Sequence, residues 1–394
     1  MPDTSLDYLK QQLAELRAAG TALHPRVLED EQKARTRFDG RDVINLASNN
    51  YLGLAAHPRM KGAASEAAAR YGAGSGAVRT IAGTMSLHTE LERRFAAFKG
   101  AEAAIMFQSG FTANSGTVAA ILGKDDVIVS DQLNHASIID GARLSRAEIK
   151  VFPHKDAAAA DALLAETKAP GRHQLLITDG VFSMDGDIAP LPALVEVADK
   201  HRAIMMIDDA HASGVLGKNG RGTVDHFGLH GRVDVQVGTL SKAIGVLGGF
   251  IAGPQHLIDW LVNRGRPFLF STSAPPAVAA ACIEALNILE EEPERVERLW
   301  DRTNFFKQGL TNLGFDTGAS ETPITPVIAG EETKAVELAK LLWEEGVFTP
   351  AIVFPTVPKG RSRVRTIVTA DHTEEDLKEA LDAFERVGRK LGLI

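Results

Sequence analysis

The chain has 394 residues, 44% of them hydrophobic and 24% charged, with a net charge of -8. This is the composition of a folded globular protein too long for one compact core, and the acidic balance excludes the basic footprint of a nucleic-acid binder, leaving room for a local anion pocket. A single cysteine, Cys282, excludes an internal disulfide and a multi-cysteine zinc site; no run of about 18 apolar residues can span a membrane, and the N-terminal residues lack a leader's apolar run, so a cytoplasmic enzyme is expected.

Leu6, Leu9, Leu13 and Leu16 at helical spacing predict a short amphipathic N-terminal helix. Val43–Leu46 reads as a strand that enters the turn Ala47–Leu54, where Asn49 and Asn50 are either turn formers or amides aimed into a pocket. The glycine-rich stretch Tyr71–Thr84 superficially offers a dinucleotide fingerprint. That reading fails, because no strand precedes it and Ala77 stands at the third glycine position. Ser86 is expected to cap a helix over Leu87–Phe98.

From about residue 100, short apolar runs alternate with helical patterns. The runs are Ala103–Phe107, Val127–Ser130, Ile149–Phe152, Leu175–Thr178, Ile204–Asp208, Val233–Val237 and Phe250–Ala252. Apolar runs without alternation, separated by helices, predict an α/β fold with a mostly parallel seven-stranded sheet covered on both faces. Ligands of such sheets lie beyond the carboxyl ends of the strands.

Those ends carry polar motifs. Gln108–Asn114 opens a helix with small residues, whose free N–H groups suit a phosphate. Asp131–Ser137 brings His135, Asp179–Gly186 brings Ser183, and Asp208-Asp-Ala-His211 sets an acid and an imidazole three residues apart. Gly238-Thr-Leu-Ser-Lys242 ends on a lysine with Gly245, Gly248 and Gly249 behind it. Lys242 reads either as an ordinary loop lysine or as a desolvated, nucleophilic Schiff-base lysine. A phosphate cradle, an acid, two histidines, hydroxyls and a lysine together match pyridoxal phosphate. His135, His211, Asp131 and Asp208 also permit a zinc reading, but no HExxH-type spacing is present and no metal is expected; a serine hydrolase would need a GxSxG elbow.

Beyond residue 275 the chain turns to helices with two strand candidates. Pro275–Glu291 is an alanine-rich helix that buries Cys282, and Val296–Leu313 is an amphipathic one. Ile324–Ile328 is a strand placed at a sheet edge by Pro326, and it precedes a helix over Thr333–Glu345. Val364–Val368 is a strand, and Thr373 caps a final helix. The expected organisation is an N-terminal helix and arm (1–50), a cofactor-binding large domain (51–285) and a smaller α+β domain (286–394).

With these motifs in hand the sequence resembles the α-oxoamine synthases, fold-type I pyridoxal-phosphate-dependent transferases. The resemblance runs from about Asn45 to the C-terminus. It is carried by Asn49–Leu54, Ser130–Gly141, Thr178–Gly186, Asp208–His211, Gly217–Gly222, Gly238–Lys242 and Val357–Gly360. It implies that Lys242 forms the Schiff base and moves the Cα proton, Asp208 pairs with the pyridine nitrogen, and His135 stacks on the ring. It further implies that His211 and Ser183 lie near the phenolic oxygen, while the Gly110 and Phe111 amides and the Thr239 hydroxyl hold the phosphate. A second subunit's Thr272 and Ser273 would reach that phosphate, so a homodimer is implied. Arg365, assisted by Asn49, would bind the substrate carboxylate. His88 and Arg79 are explained equally well by helix and loop chemistry.

The partners implied are a small amino acid and an acyl-CoA, with no nucleic acid and no membrane. Within the family the wording leans to the glycine C-acetyltransferase branch, which condenses glycine with acetyl-CoA. Val353 is expected to replace an arginine that pimeloyl-using synthases carry before Pro-Thr-Val-Pro; Asp208-Asp-Ala-His211 leans instead to the 8-amino-7-oxononanoate branch. The competing class is an aminotransferase or decarboxylase that does not use CoA.

Overall fold

The computed structural model describes residues 4–18, 22 and 24–394. Its centre is a seven-stranded sheet with strands Ala103–Phe107, Val127–Asp131, Glu148–Phe152, Gln174–Asp179, Ile204–Asp208, Val235–Thr239 and Gly249–Gly253. Each apolar run of the sequence is one strand. In space Ala103–Phe107 lies at one edge, followed by Gly249–Gly253, Val235–Thr239, Ile204–Asp208, Gln174–Asp179, Val127–Asp131 and, at the other edge, Glu148–Phe152. Gly249–Gly253 runs antiparallel to both neighbours, and the other strand pairs are parallel. The inner strands Gln174–Asp179 and Val235–Thr239 are buried throughout, which accounts for their unalternating hydrophobicity.

Separate apolar clusters cover the two faces. One packs Ile105, Val118, Ile128, Ile177 and Val237 together; another packs Val129, Leu164, Leu176, Leu194 and Ile207. The helix Pro276–Glu291 lies on Pro58–Tyr71 and Ser86–Lys99, and its Cys282 is fully buried in a third cluster. Burial pushes that thiol's pKa up, as expected of a core residue.

The C-terminal part forms a three-stranded sheet with Ser362–Ile367 flanked by Ile324–Gly330 and Ala351–Ile352. Pro326 therefore sits in an edge strand. The helices Glu332–Glu344 and Glu374–Leu391 cover it, the latter capped by the Thr373 side chain, which accepts from the Asp376 N–H. A third small sheet joins distant segments: the hairpin Arg35–Phe38 and Arg41–Asn45 takes Val347–Phe348 as a parallel third strand. Only Val43–Leu46 of this sheet was expected from the sequence. Of the remaining strands, Arg35–Phe38 is short and carries Arg35 and Arg37, and Val347–Phe348 has only two residues.

Two local expectations change. The helix expected from Leu87 is Ser86–Lys99, and its cap is not the Ser86 side chain; His88 Nδ1 accepts from the Met85 N–H at 3.1 Å. The N-terminal helix exists as Tyr8–Ala18, but none of its residues is buried. Among the described residues no helix is long and apolar enough to cross a membrane.

Candidate active site

Strand register assembles the site. Asp179 pairs with Asp208, and Asp208 with Val237, so the polar residues that follow these strands emerge side by side at one sheet edge. Gly249 closes the arrangement on the far side. A Cβ there would lie 2.5 Å from the Ser109 carbonyl carbon, so only glycine lets the Ser109–Gly110 turn approach this strand. At Gly110 a Cβ would stand 3.2 Å from that of Thr239.

These elements enclose a cavity of about 230 Å³ lined by Gly110, Phe111, His135, Asp208, His211, Thr239 and Lys242, among others. Seven of the residues expected at the site thus converge on one space. At its floor Asp208 is buried and held on both oxygens: Asn114 Nδ2 donates to Oδ2 at 2.6 Å and the Ala210 N–H to Oδ1 at 2.8 Å. Burial pulls the Lys242 pKa down to about 8; the carboxylates of Asp208 and Asp179 oppose this, and the Arg365 charge adds to it. The Gly110 and Phe111 N–H groups open the helix Gly110–Ile121 and have no acceptor within it. Thr239 Oγ1 lies 2.8 Å from Ser241 Oγ.

His211 is buried, and its Nδ1 shares a 2.7 Å hydrogen bond with the Tyr51 hydroxyl. Burial, then the charges of Lys242 and Arg365, hold its pKa well below the usual histidine value. The imidazole is therefore neutral at neutral pH. His135 is fixed by its Nδ1, 2.7 Å from Ser137 Oγ.

The remaining expected residues lie outside this lining. Arg365 Nη1 donates to the Ser183 carbonyl at 3.1 Å, while its buried Nε has no protein partner. Asn49 Oδ1 is likewise buried and unpartnered. Ser183 lines a second, neighbouring cavity. Thr272 bridges to Val78, and the Ser273 hydroxyl donates to the Gly83 carbonyl at 2.6 Å, so within one chain this segment pins the glycine-rich loop. Arg79 and His88 are committed elsewhere: Arg79 pairs doubly with Glu92 at 2.8 and 2.9 Å, and His88 lies 2.8 Å from the Ala274 carbonyl.

Sequence reasoning missed four groups at the site. Asn114 follows Gly110 by one helical turn, so the i, i+4 spacing could have revealed it. Ser137, two residues after His135, carried a local signal as an imidazole partner. Asp179, buried and beside Asp208, has its pKa pushed well above the usual carboxylate value, first by burial and then by the Asp208 charge. Tyr51 gave no signal, because 160 residues separate it from His211.

A model of the family "Aminotransferase class I and II" matches residues 41–384. The 8-amino-7-oxononanoate synthase of Symbiobacterium thermophilum is 62% identical over 388 residues, covering 98% of this chain and 99% of the relative. That of Thermoanaerobacter pseudethanolicus is 60% identical, covering 99% and 98%. Among solved structures, a single-site variant of the S. paucimobilis serine palmitoyltransferase with a bound PLP–myriocin aldimine superposes with TM-score 0.93. It is 32% identical and covers 99% of this chain and 98% of that one.

The relatives overturn the expectation of glycine and acetyl-CoA as substrates, because the enzymes similar over the full length bear the other branch's name. The structure shows why Val353 misled. Its side chain packs on the apolar cluster of the C-terminal part, with Val327 and Leu342, and does not line the cavity of Lys242. It is absent from the lining of the neighbouring cavity as well.

Proposed function

We propose that this chain, which belongs to the class I and II aminotransferase family, is an 8-amino-7-oxononanoate synthase. One observation carries the choice of reaction: the 62% identity to such a synthase, sustained over 98% of the chain. The product's name then defines the substrates. Its nine carbons carry an oxo group at C7 and an amine at C8. A seven-carbon dicarboxylic acyl group supplies C1–C7, and alanine supplies C8 and C9 with its amine. The alanine carboxyl leaves as CO2 and the thiol carrier leaves as the free thiol, which balances the reaction.

The cofactor is pyridoxal phosphate, and the residues present fit it. A desolvated lysine, a carboxylate fixed on both oxygens, two unengaged amides at a helix start and a shielded histidine face one cavity. Lys242 would hold it covalently, Asp208 would hold a proton at the ring nitrogen, and Gly110, Phe111 and Thr239 would hold the phosphate. When bound, it supplies an electron sink for the bond broken at the amino-acid Cα.

The protein's own groups supply the rest. With a pKa near 8, the Lys242 amine is partly neutral at physiological pH and can take and return a proton at Cα. Asn114 and the Ala210 amide fix the Asp208 carboxylate so that it need not reorient as charge develops. Neutral His211, anchored by Tyr51, donates or accepts one hydrogen bond without placing a second cation beside Lys242. Arg365 has an unsatisfied Nε suited to the carboxylate of alanine, and the buried Asn49 amide oxygen is free to accept a hydrogen bond. We further propose a homodimer in which the Thr272–Ser273 segment approaches the partner's phosphate site.

Purified enzyme given pyridoxal phosphate, alanine and pimeloyl-CoA should release CoA and CO2 in equal amounts and yield 8-amino-7-oxononanoate by mass spectrometry. Faster turnover of glycine with acetyl-CoA would sink the proposal.

A further inference from the structure

Beside the cofactor cavity lies a second one of about 160 Å³. The two share a wall in sequence: Val181 lines the first, and Phe182, Ser183 and Met184 line the second. The Ser183 carbonyl also receives Arg365, whose charge acts on Lys242 and His211, so the second cavity starts where the reacting amino acid is held. Its walls are largely apolar, with Leu133, Phe182, Met184 and Val357. Its charged lining is Asp185, Arg361 and Arg363.

The two arginines differ in what they already hold. Arg363 is 2% exposed; its Nη1 donates to Asp185 at 2.6 Å and to the Met184 carbonyl at 2.9 Å, and its Nε to the Arg361 carbonyl at 2.9 Å. Asp185 thus neutralises Arg363, leaving Arg361 as the net charge of the lining. Among the described residues the one ion pair of Arg361 is with Asp316, at 3.8 Å and solvent-exposed on both sides. Its backbone is anchored nonetheless, the N–H donating to the Pro358 carbonyl at 3.1 Å.

An apolar slot beside the reacting centre, with a guanidinium held only by one long exposed ion pair in its lining, has the chemistry of a dicarboxylic acyl chain: methylenes along the wall, a carboxylate at the guanidinium. We propose that this second cavity seats the acyl chain and that Arg361 is the specificity residue that pairs with its distal carboxylate. The proposal rests on the synthase reading above. It assigns to the loop after Pro358 the role that Val353 cannot fill.

The test compares pimeloyl-CoA with heptanoyl-CoA, which has the same carbon count and a methyl end, in the native enzyme and in Arg361→Gln and Arg361→Lys. The native enzyme should prefer pimeloyl-CoA; absence of that preference overturns the synthase reading and this proposal with it. Given a native preference, Arg361→Gln should lower the pimeloyl/heptanoyl ratio of kcat/KM roughly tenfold, the scale of a charge-assisted hydrogen bond discounted for exposure, and Arg361→Lys should restore part of it. Dissociation constants of the two thioesters, measured by calorimetry, should shift by the same ratio. Equal losses on both thioesters would mean that Arg361 serves the CoA portion or the fold, and an unchanged ratio that it reads nothing; either result overturns the proposal.

Discussion

Lys99 and Asp209 form an ion pair with both side chains fully buried, at 2.7 Å. The Lys99 ammonium also donates to the Arg221 carbonyl at 2.7 Å and lies 3.4 Å from Ser213 Oγ. Asp209 Oδ2 further accepts the Thr223 N–H at 3.0 Å. One lysine at the end of the helix Ser86–Lys99 thus ties down both the segment after the strand Ile204–Asp208 and the turn through Gly222. Lys99→Met removes the cation and leaves the Asp209 carboxylate buried with a single backbone donor. Breaking such a pair from one side costs about 3–5 kcal/mol, whereas replacing both partners by uncharged groups of similar shape is close to neutral. Urea unfolding followed by tryptophan fluorescence should show the unfolding transition of Lys99→Met displaced by that amount. Lys99→Met combined with Asp209→Asn should recover most of the loss. Because Asp208 is the next residue, the single variant should also release pyridoxal phosphate faster on dialysis. A single variant within about 1 kcal/mol of the native enzyme, the scale of a surface pair, or a double variant as unstable as the single, would refute the reasoning.

The Lys242 amine is neutral above its pKa of about 8, so the rate at which apo-enzyme takes up pyridoxal phosphate should rise with pH through that value and then level off; a rate flat between pH 7 and 9 would contradict the assignment. Lys242→Ala should bind the cofactor reversibly, without the absorbance band of the covalent form, and should not turn over. At His154, burial lowers the pKa, but the hydrogen bonds to Asp131 and Asp187 outweigh it and raise the value to about 9. A histidine whose folded pKa lies above its ordinary 6.5 stabilises fully below about 6.5 and loses that contribution as pH rises through about 9. His154→Gln should therefore lower the melting temperature most at pH 6, with the gap closing by about pH 10; a gap that widens with pH would reverse the sign. Arg365→Ala should raise KM for alanine roughly 10- to 100-fold, the scale of a charged hydrogen bond, with a smaller effect on KM for pimeloyl-CoA.

The sheet was legible because each inner strand is buried on both faces and must be largely apolar, as Leu175–Ile177 and Ile204–Ile207 are. The hairpin Arg35–Asn45 was only partly legible. Its first strand alternates exposed arginines with buried residues over only four positions, its second does not alternate, and its third strand comes from Val347, about 300 residues away. The helix start at Ser86 was misread for a similar reason: a serine before an apolar pattern is the commoner cap, and only the folded chain shows His88 turning back to Met85.

The sequence by itself determined which segments become strands and helices and which residues stand at the strand ends. These properties follow from local periodicity and from the fixed direction of a parallel sheet. Lys242, Asp208, His135, His211, Gly110, Phe111 and Thr239 could thus be placed near one another before any coordinate was known. Only the tertiary structure decided which partners hold them: Tyr51 on His211, Asn114 on Asp208, Asp185 on Arg363. It also packed Val353 on the apolar cluster of the C-terminal part and left Arg361 with one long, solvent-exposed ion pair. Such pairings join residues tens to hundreds of positions apart, and their geometry is set by register and packing, which no local pattern encodes.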